Sequence, residues 1–247
     1  MRSNLLKVFF FGKTFAQINK GRAEKKALVS GSIFKQLKST HERYADVFRE
    51  LGFTLDLSLP SYPEPQTLPE SIYQYVNLNH KPFVGIAPFA QYDSKMYPLD
   101  LMQEVIGELS KSYNILLFGG GNNEDKLLKN LSKGLNNVTN CVGKFRFKEE
   151  LAIISNLDLM LSMDSGNGHL AAMYGVKVVT IWANTHPFAG FVPFNQPSSQ
   201  QLLPNQSDFP LIPTSIYGNK TPENYKTVAG TISPTTVINK INGVLGS

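Results

Sequence analysis

The sequence predicts an α/β protein whose larger part is a parallel sheet with helices on both faces. Two observations carry this. From Phe83 onward, apolar runs of strand length alternate with helical patterns roughly ten residues long, the rhythm of a parallel sheet with crossover helices. Ahead of that rhythm, Ser58–Pro69 places four prolines in twelve residues, the composition of a linker between two domains.

The elements follow in order. Before the linker, Phe15 to Ile18 reads as a strand and Glu24 to Val29 as a helix. Ser39 to Leu51 is a stronger helix: Thr40 can cap it, Tyr44, Val47, Phe48 and Leu51 share a face, and Gly52 stops it. This segment offers fewer strands than a free-standing α/β domain needs, so it reads as the tail of a domain whose beginning lies elsewhere, with apolar faces left exposed and prone to self-association. After the linker, Phe83–Ala87 is a buried strand and Leu99–Leu109 a helix. Ile115 to Phe118 is a strand closed by Gly119-Gly120-Gly121. Glu124 to Leu135 is a helix, Val138 to Val142 a short strand and Lys148 to Ile154 a helix. Leu157 to Ile181 then gives strand, polar turn, helix and strand, one βαβ unit. Asn184 to Tyr225 is rich in Pro, Asn, Gln and Ser and offers no long element. Ser233 to Leu245 is a closing helix with Ser233 as N-cap and Pro234 in its first turn.

The chain has 247 residues, a net charge of +5 and a single cysteine, Cys141. The charge suits an anionic partner, and the lone cysteine excludes an intramolecular disulfide and fits a reducing compartment. The start, MRSNLLKVFFFGKTFAQ, is basic and then apolar, too short and too interrupted by Lys7 and Lys13 for a membrane span, with no clear cleavage site. A cytoplasmic protein is expected. No D-x-D, H-E-x-x-H or G-x-S-x-G element is present, and no arginine-rich, aromatic-interleaved stripe argues for nucleic acid. His41 and His80 read as surface residues, His186 as a loop residue that could border a site, and Trp182 as packing.

The chemistry is concentrated in loops that a parallel sheet would bring to one edge. After the first strand comes Pro88 to Pro98, containing Asp93 and Lys95. After the second comes Gly119 to Glu124, and after the fourth Asp164-Ser165-Gly166-Asn167-Gly168-His169. Lys95 supplies a point charge for a phosphate, and the amides of a helix starting after Asp164 supply directed donors. Gly166 and Gly168 allow a backbone to come close to a ligand. The competing readings are a solvated surface lysine, a flexible glycine loop, and an Asx-turn that starts a helix and binds nothing.

In this order, the D-x-K-x-aromatic-Pro, F-G-G-G, V-G-K and D-S-G-x-x-H-L-A-A-x-x-G elements resemble the donor-binding half of glycosyltransferase family 9, the lipopolysaccharide heptosyltransferases. The resemblance is strong over about Lys81 to Ala183 and weak in the N-terminal stretches Lys20-Gly21-Arg22 and Glu42-Arg43-Tyr44. It implies a GT-B fold with one nearly complete Rossmann-like donor domain and a partial N-terminal Rossmann-like domain. The implied division is a partial acceptor-side domain over 1–60, joined by the last helix, a linker over 61–80, a donor-binding domain over 81–230, and the closing helix over 231–247. It implies transfer of a sugar, an ADP-heptose-like donor, to a lipopolysaccharide-core acceptor by an inverting mechanism without metal or other cofactor, and it allows peripheral contact with the inner membrane. Carried onto this sequence, Lys95 contacts the donor pyrophosphate and Asp164 lies beside the sugar. Ser165, Gly166 and Asn167 present donors to the phosphates, His169 completes that turn, Phe145 lies against the adenine, and Gly121 sits where the ribose is held. Three departures stand out. Ala90 and Gln91 replace small hydroxyl residues, Gly121 or Asn122 stands where an acidic residue often holds the ribose, and the family's N-terminal glycine-rich loop and acidic base have no counterpart. The catalytic residue is therefore unassigned, and little transfer by these residues alone is expected. The alternatives are a nucleotide-sugar binding module without catalysis or a UDP-sugar epimerase-like relative of the same fold.

Overall fold

The computed structural model describes residues 14–76 and 82–246; the apolar start of the chain and His80 lie outside them. The chain divides into two compact units. One is Met1–Ser61 with Phe188–Phe191, the other Tyr62–Pro187 with Val192–Ser247.

In the first unit, α1 spans Arg22–Val29 and α2 spans Thr40–Glu50. The N-cap of α2 is Ser39 rather than Thr40: its hydroxyl accepts from the Glu42 amide at 3.1 Å. Phe15 to Ile18 is irregular and not the expected strand. Phe15 and Ile18 gave that run strand character, but no neighbouring strand among the described residues of this unit pairs with it. The face that buries α2 carries Arg43 and Ala45. The apolar set on the other side stays open, with Tyr44 57%, Phe48 51% and Leu51 41% exposed. Arg43 is the hub of the unit. Its guanidinium donates to Glu24 at 2.6 Å and to the carbonyls of Asn19 and Lys38, each at 3.1 Å.

The second unit is an α/β sandwich. Its strands are β1 (Phe83–Ala87), β2 (Asn114–Leu117), β3 (Val138–Asn140), β4 (Leu159–Met163), β5 (Lys177–Ile181) and the two-residue β6 (Gln201–Leu202). They form one six-stranded sheet in the order β3-β2-β1-β4-β5-β6, and every pairing is parallel. The order reverses between β1 and β4, the switch point at which such sheets open a crevice beyond their strand ends. The helices are α3 (Leu99–Leu109), α4 (Gly121–Leu131), α5 (Phe147–Ser155), α6 (Gly166–Met173) and α7 (Pro234–Leu245).

Strand alternation explains how both faces are buried. Ile115, Leu117, Leu159, Leu161, Val179 and Ile181 join one cluster with α3, α4 and α7. Their neighbours Leu116, Met160 and Val178 join a second cluster with α5 and α6. Both clusters are apolar, so the strands read as continuous hydrophobic runs. The closing helix α7 was expected with the acceptor-side segment. It packs instead in the sheet's unit, where Val237 and Ile241 are fully buried against the α3 side. Its apolar stripe has a ready partner there, because Met102, Val105 and Ile106 of α3 join Val237 and Ile241 in one buried cluster.

Candidate functional site

The loops after β1, β4 and β5 meet at the C-terminal edge of the sheet. After β1 the chain makes a single 3-10 turn, Asp93–Lys95. Lys95 then reaches the loop after β4, and its ammonium lies 3.0 Å from Oδ2 of Asp164, with the two side chains 11% and 9% exposed. The Thr185 hydroxyl, from the loop after β5, donates to the same oxygen at 3.0 Å. Two expected site residues from distant parts of the chain are therefore in contact, although the geometry differs from the simple expectation. Lys95 does not face the helix amides alone, because a carboxylate already occupies part of its coordination.

The loop is held from three sides. The buried Asn184 amide donates to the Ser94 carbonyl at 3.1 Å and to the Tyr225 carbonyl at 2.8 Å. The Ser94 hydroxyl donates to the Gly218 carbonyl. Gly218 has φ +79°, and a Cβ there would run into the Lys95 methylenes, so glycine is what lets this loop lie on the lysine stem. Asn184, Thr185 and Gly218 were not singled out from sequence. Their one signal was position, just after a strand end or in a glycine-containing polar loop.

Helix α6 begins at Gly166 immediately after Ser165, which is extended and makes no side-chain cap. The Ser165 hydroxyl is buried without a partner among the described residues, and open space surrounds the Cβ position of Gly166. Both fit donors and backbone left available to a ligand. Gly168 is different: a Cβ there would collide with the Ser162 hydroxyl. It is a packing glycine that seats α6 on β4 and not, as expected, a point of ligand approach. Ser162 pairs across the sheet with Thr180, and both hydroxyls are buried without partners among the described residues. Asn167 is half-buried in the first turn.

The electrostatics centre on His169. Burial lowers its pKa, the Asp164 carboxylate opposes this, and the Lys95 ammonium adds to the lowering. The ring is neutral at pH 7, an acceptor and donor rather than a cation. His186 is buried, and desolvation takes it down to about 4. The Cys141 thiol, pushed up to about 12 by burial, is inert. Trp182 is fully buried and donates to Gln201 at 2.8 Å, the packing role expected for it.

The remaining expected site residues lie farther along the same edge. Gly121 opens α4 with φ +75° and open space where a Cβ would be, while the Gly120 amide donates to Glu124 at 2.6 Å. Phe145 sits in the second core cluster, 8% exposed, with its ring edge-on to Tyr75 at 5.8 Å. Little of its face is free for a base. Phe147, at the start of α5, is 64% exposed and was not marked from sequence. Between these, Tyr75, Asp125, Lys129, Asn140, Gly143 and Lys144 line a polar groove of about 620 Å³ beyond β3.

The match to known proteins now has a geometry to rest on. The family model for glycosyltransferase family 9 (heptosyltransferase) matches residues 20–208. The chain belongs to glycosyltransferase family 9. Among curated members, it is 33% identical over 112 residues to lipooligosaccharide heptosyltransferase 2 of Campylobacter jejuni serotype O:2, covering 43% of this chain and 35% of that protein. It is 28% identical over 157 residues to the serotype O:6 protein of the same name, covering 60% and 50%. The chain thus spans half or less of the curated relatives it matches. Among solved structures, the family 9 glycosyl transferase from Veillonella parvula superposes with a TM-score of 0.63 at 17% identity, over 85% of this chain and 61% of that one. The E. coli ADP-heptose lipopolysaccharide heptosyltransferase II gives 0.57 at 18%, over 81% and 61%. These likenesses establish the fold, α/β of the GT-B type. Among the described residues, no helix is long and apolar enough to cross a membrane.

Proposed function

We propose that this family 9 chain binds the donor of a heptosyltransferase reaction, in which a sugar passes from an ADP-linked donor to a lipopolysaccharide-core acceptor with inversion. The observation that carries the reading is the Lys95–Asp164 contact at the switch point of the sheet, beside the start of α6. A nucleoside diphosphate laid across that edge meets the Lys95 ammonium, the Ser165 hydroxyl and the α6 amides. Each of these gains strength as negative charge builds on the departing phosphate. With a lysine and a helix terminus supplying the countercharge, the reaction in this reading needs no metal. Lys95 has three donors and gives one to Asp164, so it can hold the carboxylate and a phosphate oxygen together. Asp164, beside the sugar, then fixes the ammonium where the leaving group forms. Neutral His169 completes the first turn as a hydrogen-bonding group.

Two further facts support the ADP assignment. Neighbours of this fold are named as heptosyltransferase WaaC with ADP and with ADP-2-deoxy-2-fluoro heptose, and the open backbone at Gly120 and Gly121 leaves room for a nucleoside. Peripheral membrane association belongs to the same proposal, through the basic N-terminal residues. Calorimetric titration with ADP and with UDP tests the donor assignment: ADP should bind more tightly, and equal or reversed affinities would refute it.

A further inference from the structure

The loop after β5 delivers a second donor to an oxygen that Lys95 already uses. Thr185 is 1% exposed, and its hydroxyl donates to Oδ2 of Asp164 at 3.0 Å, the same distance at which the Lys95 ammonium meets that atom. A carboxylate oxygen carries two lone pairs, so one hydroxyl and one ammonium N–H fill Oδ2 between them. Thr185 thereby limits what Lys95 gives to this oxygen: one of its three donors goes to Oδ2, and a second cannot follow it there. A side chain of the same shape without the hydroxyl would leave a lone pair of Oδ2 open, and the ammonium would settle more fully on the carboxylate. Burial sharpens the competition, because hydrogen bonds strengthen where water is scarce.

The hydroxyl is delivered from a fixed place. Asn184, the preceding residue, is fully buried. Its side-chain amide donates to the carbonyls of Ser94 at 3.1 Å and Tyr225 at 2.8 Å, and its own carbonyl accepts from the Thr214 amide at 3.0 Å. Ser94 directly precedes Lys95. Asn184 therefore ties together the two backbone segments whose donors converge on Oδ2. Threonine adds stiffness of its own, since branching at Cβ restricts χ1.

We propose that Thr185 is a positioning residue of the donor site, whose hydroxyl holds Asp164 to a single hydrogen bond with Lys95 and keeps the rest of the ammonium turned to a ligand phosphate. This role rests on the donor reading and is exercised through Asp164, not on the ligand itself.

Calorimetric titration of the full chain with ADP and with adenosine, well below Tm, tests it. In Thr185→Val, ADP affinity should fall about threefold to tenfold, a fraction of the roughly tenfold to hundredfold loss expected on deleting the lysine, while adenosine binds as before. Thr185→Ser returns the hydroxyl and should bring ADP binding back to within about twofold of the wild type. The decisive readout is the double variant. If Thr185 acts through the ammonium, Thr185→Val should cost nothing further once Lys95 is alanine, whereas losses from a general loosening of the loop would add. Additive losses, equal losses for ADP and adenosine, unchanged ADP affinity in Thr185→Val, or no rescue by serine each overturn the role of Thr185. The donor reading fails differently, in Lys95→Ala alone: ADP affinity that stays level there, or falls together with that of adenosine, removes the donor site and the role of Thr185 with it. Should Thr185→Val not fold, Thr185→Ala takes its place under the same criteria.

Discussion

Replacing Lys95 by alanine separates the proposed phosphate contact from a merely structural ion pair. The wild-type pair is 3.0 Å apart with both side chains about nine-tenths buried. Removing the ammonium takes away the cation paired with Asp164 and leaves the Thr185 hydroxyl on the same oxygen. Stranding one member of a buried pair costs roughly 3–5 kcal/mol. The low end applies here because both groups touch solvent, so about 3 kcal/mol of stability should be lost, a fall in Tm of about 6–12 °C for a domain of this size. Urea denaturation checks that figure, and the double variant Lys95→Ala/Asp164→Asn should recover most of it. Ligand binding is then measured by calorimetry well below Tm. A charge-assisted hydrogen bond is worth roughly 1.5–3 kcal/mol, so ADP affinity should fall about tenfold to a hundredfold. Adenosine, which carries no charge for Lys95 to meet, should bind almost as before. Asp164→Asn acts in the opposite sense: it frees the ammonium and should tighten ADP binding by a few fold. If ADP and adenosine weaken together in Lys95→Ala, the lysine is structural and the phosphate is misplaced.

Four other outcomes are expected. Ser165→Ala should leave stability nearly unchanged, since its hydroxyl has no partner among the described residues, and should weaken ADP binding by the roughly 0.5–1.5 kcal/mol of a neutral hydrogen bond, read by the same titration. Gly168→Ala should destabilise by about 1–3 kcal/mol through overpacking on Ser162, and Ser162→Gly in the same chain should restore most of it in urea melts. Ser39→Ala should cost about 1 kcal/mol by removing the cap of α2, measured by thermal unfolding. For His186, the folded-state value of about 4 lies below the unfolded value of 6.5, so between them the unfolded chain binds more protons. Stability should be undiminished above pH 6.5 and should fall as pH drops toward 4, by at most about 1.4 kcal/mol per pH unit, and His186→Gln should flatten that slope.

The sheet was legible because its strands are buried on both faces. Runs such as Leu159–Met163 have no polar residue to blur their limits except Ser162, and β1 and α3 were read to the residue. Ends set by hydrogen bonding rather than hydrophobicity slipped: β2 begins a residue early, at Asn114, and α4 three residues early, at Gly121. The two-residue β6 escaped because a strand that short has no period to detect. That Lys95 and Asp164 meet at one sheet edge was readable from their loops and order. What sequence does not encode locally is coordination. That Asp164 shares the lysine with Thr185, that Gly218 lies on the lysine stem, and that Gly168 serves packing all depend on contacts between segments far apart in the chain. Phe145 shows the converse. Its type suits a base-stacking role, yet its neighbours Phe118, Cys141 and Ile153 draw it into the core.

The position of the ion pair at the strand-order reversal has a consequence for how the protein is made. Between Lys95 and Asp164 the chain builds α3, β2, α4, β3 and α5, with both strands on one flank of β1, before β4 returns to its other side. A ribosome that has delivered everything up to α5 has therefore produced a half-sheet whose β1 edge is unpaired and whose lysine has no carboxylate. The Lys95–Asp164 contact requires β4, which carries Asp164, and the Thr185 contact to the same oxygen requires β5 as well. On the proposed donor site, nascent chains ending before β4 and chains ending after β5 should differ sharply in their ability to retain a nucleoside diphosphate.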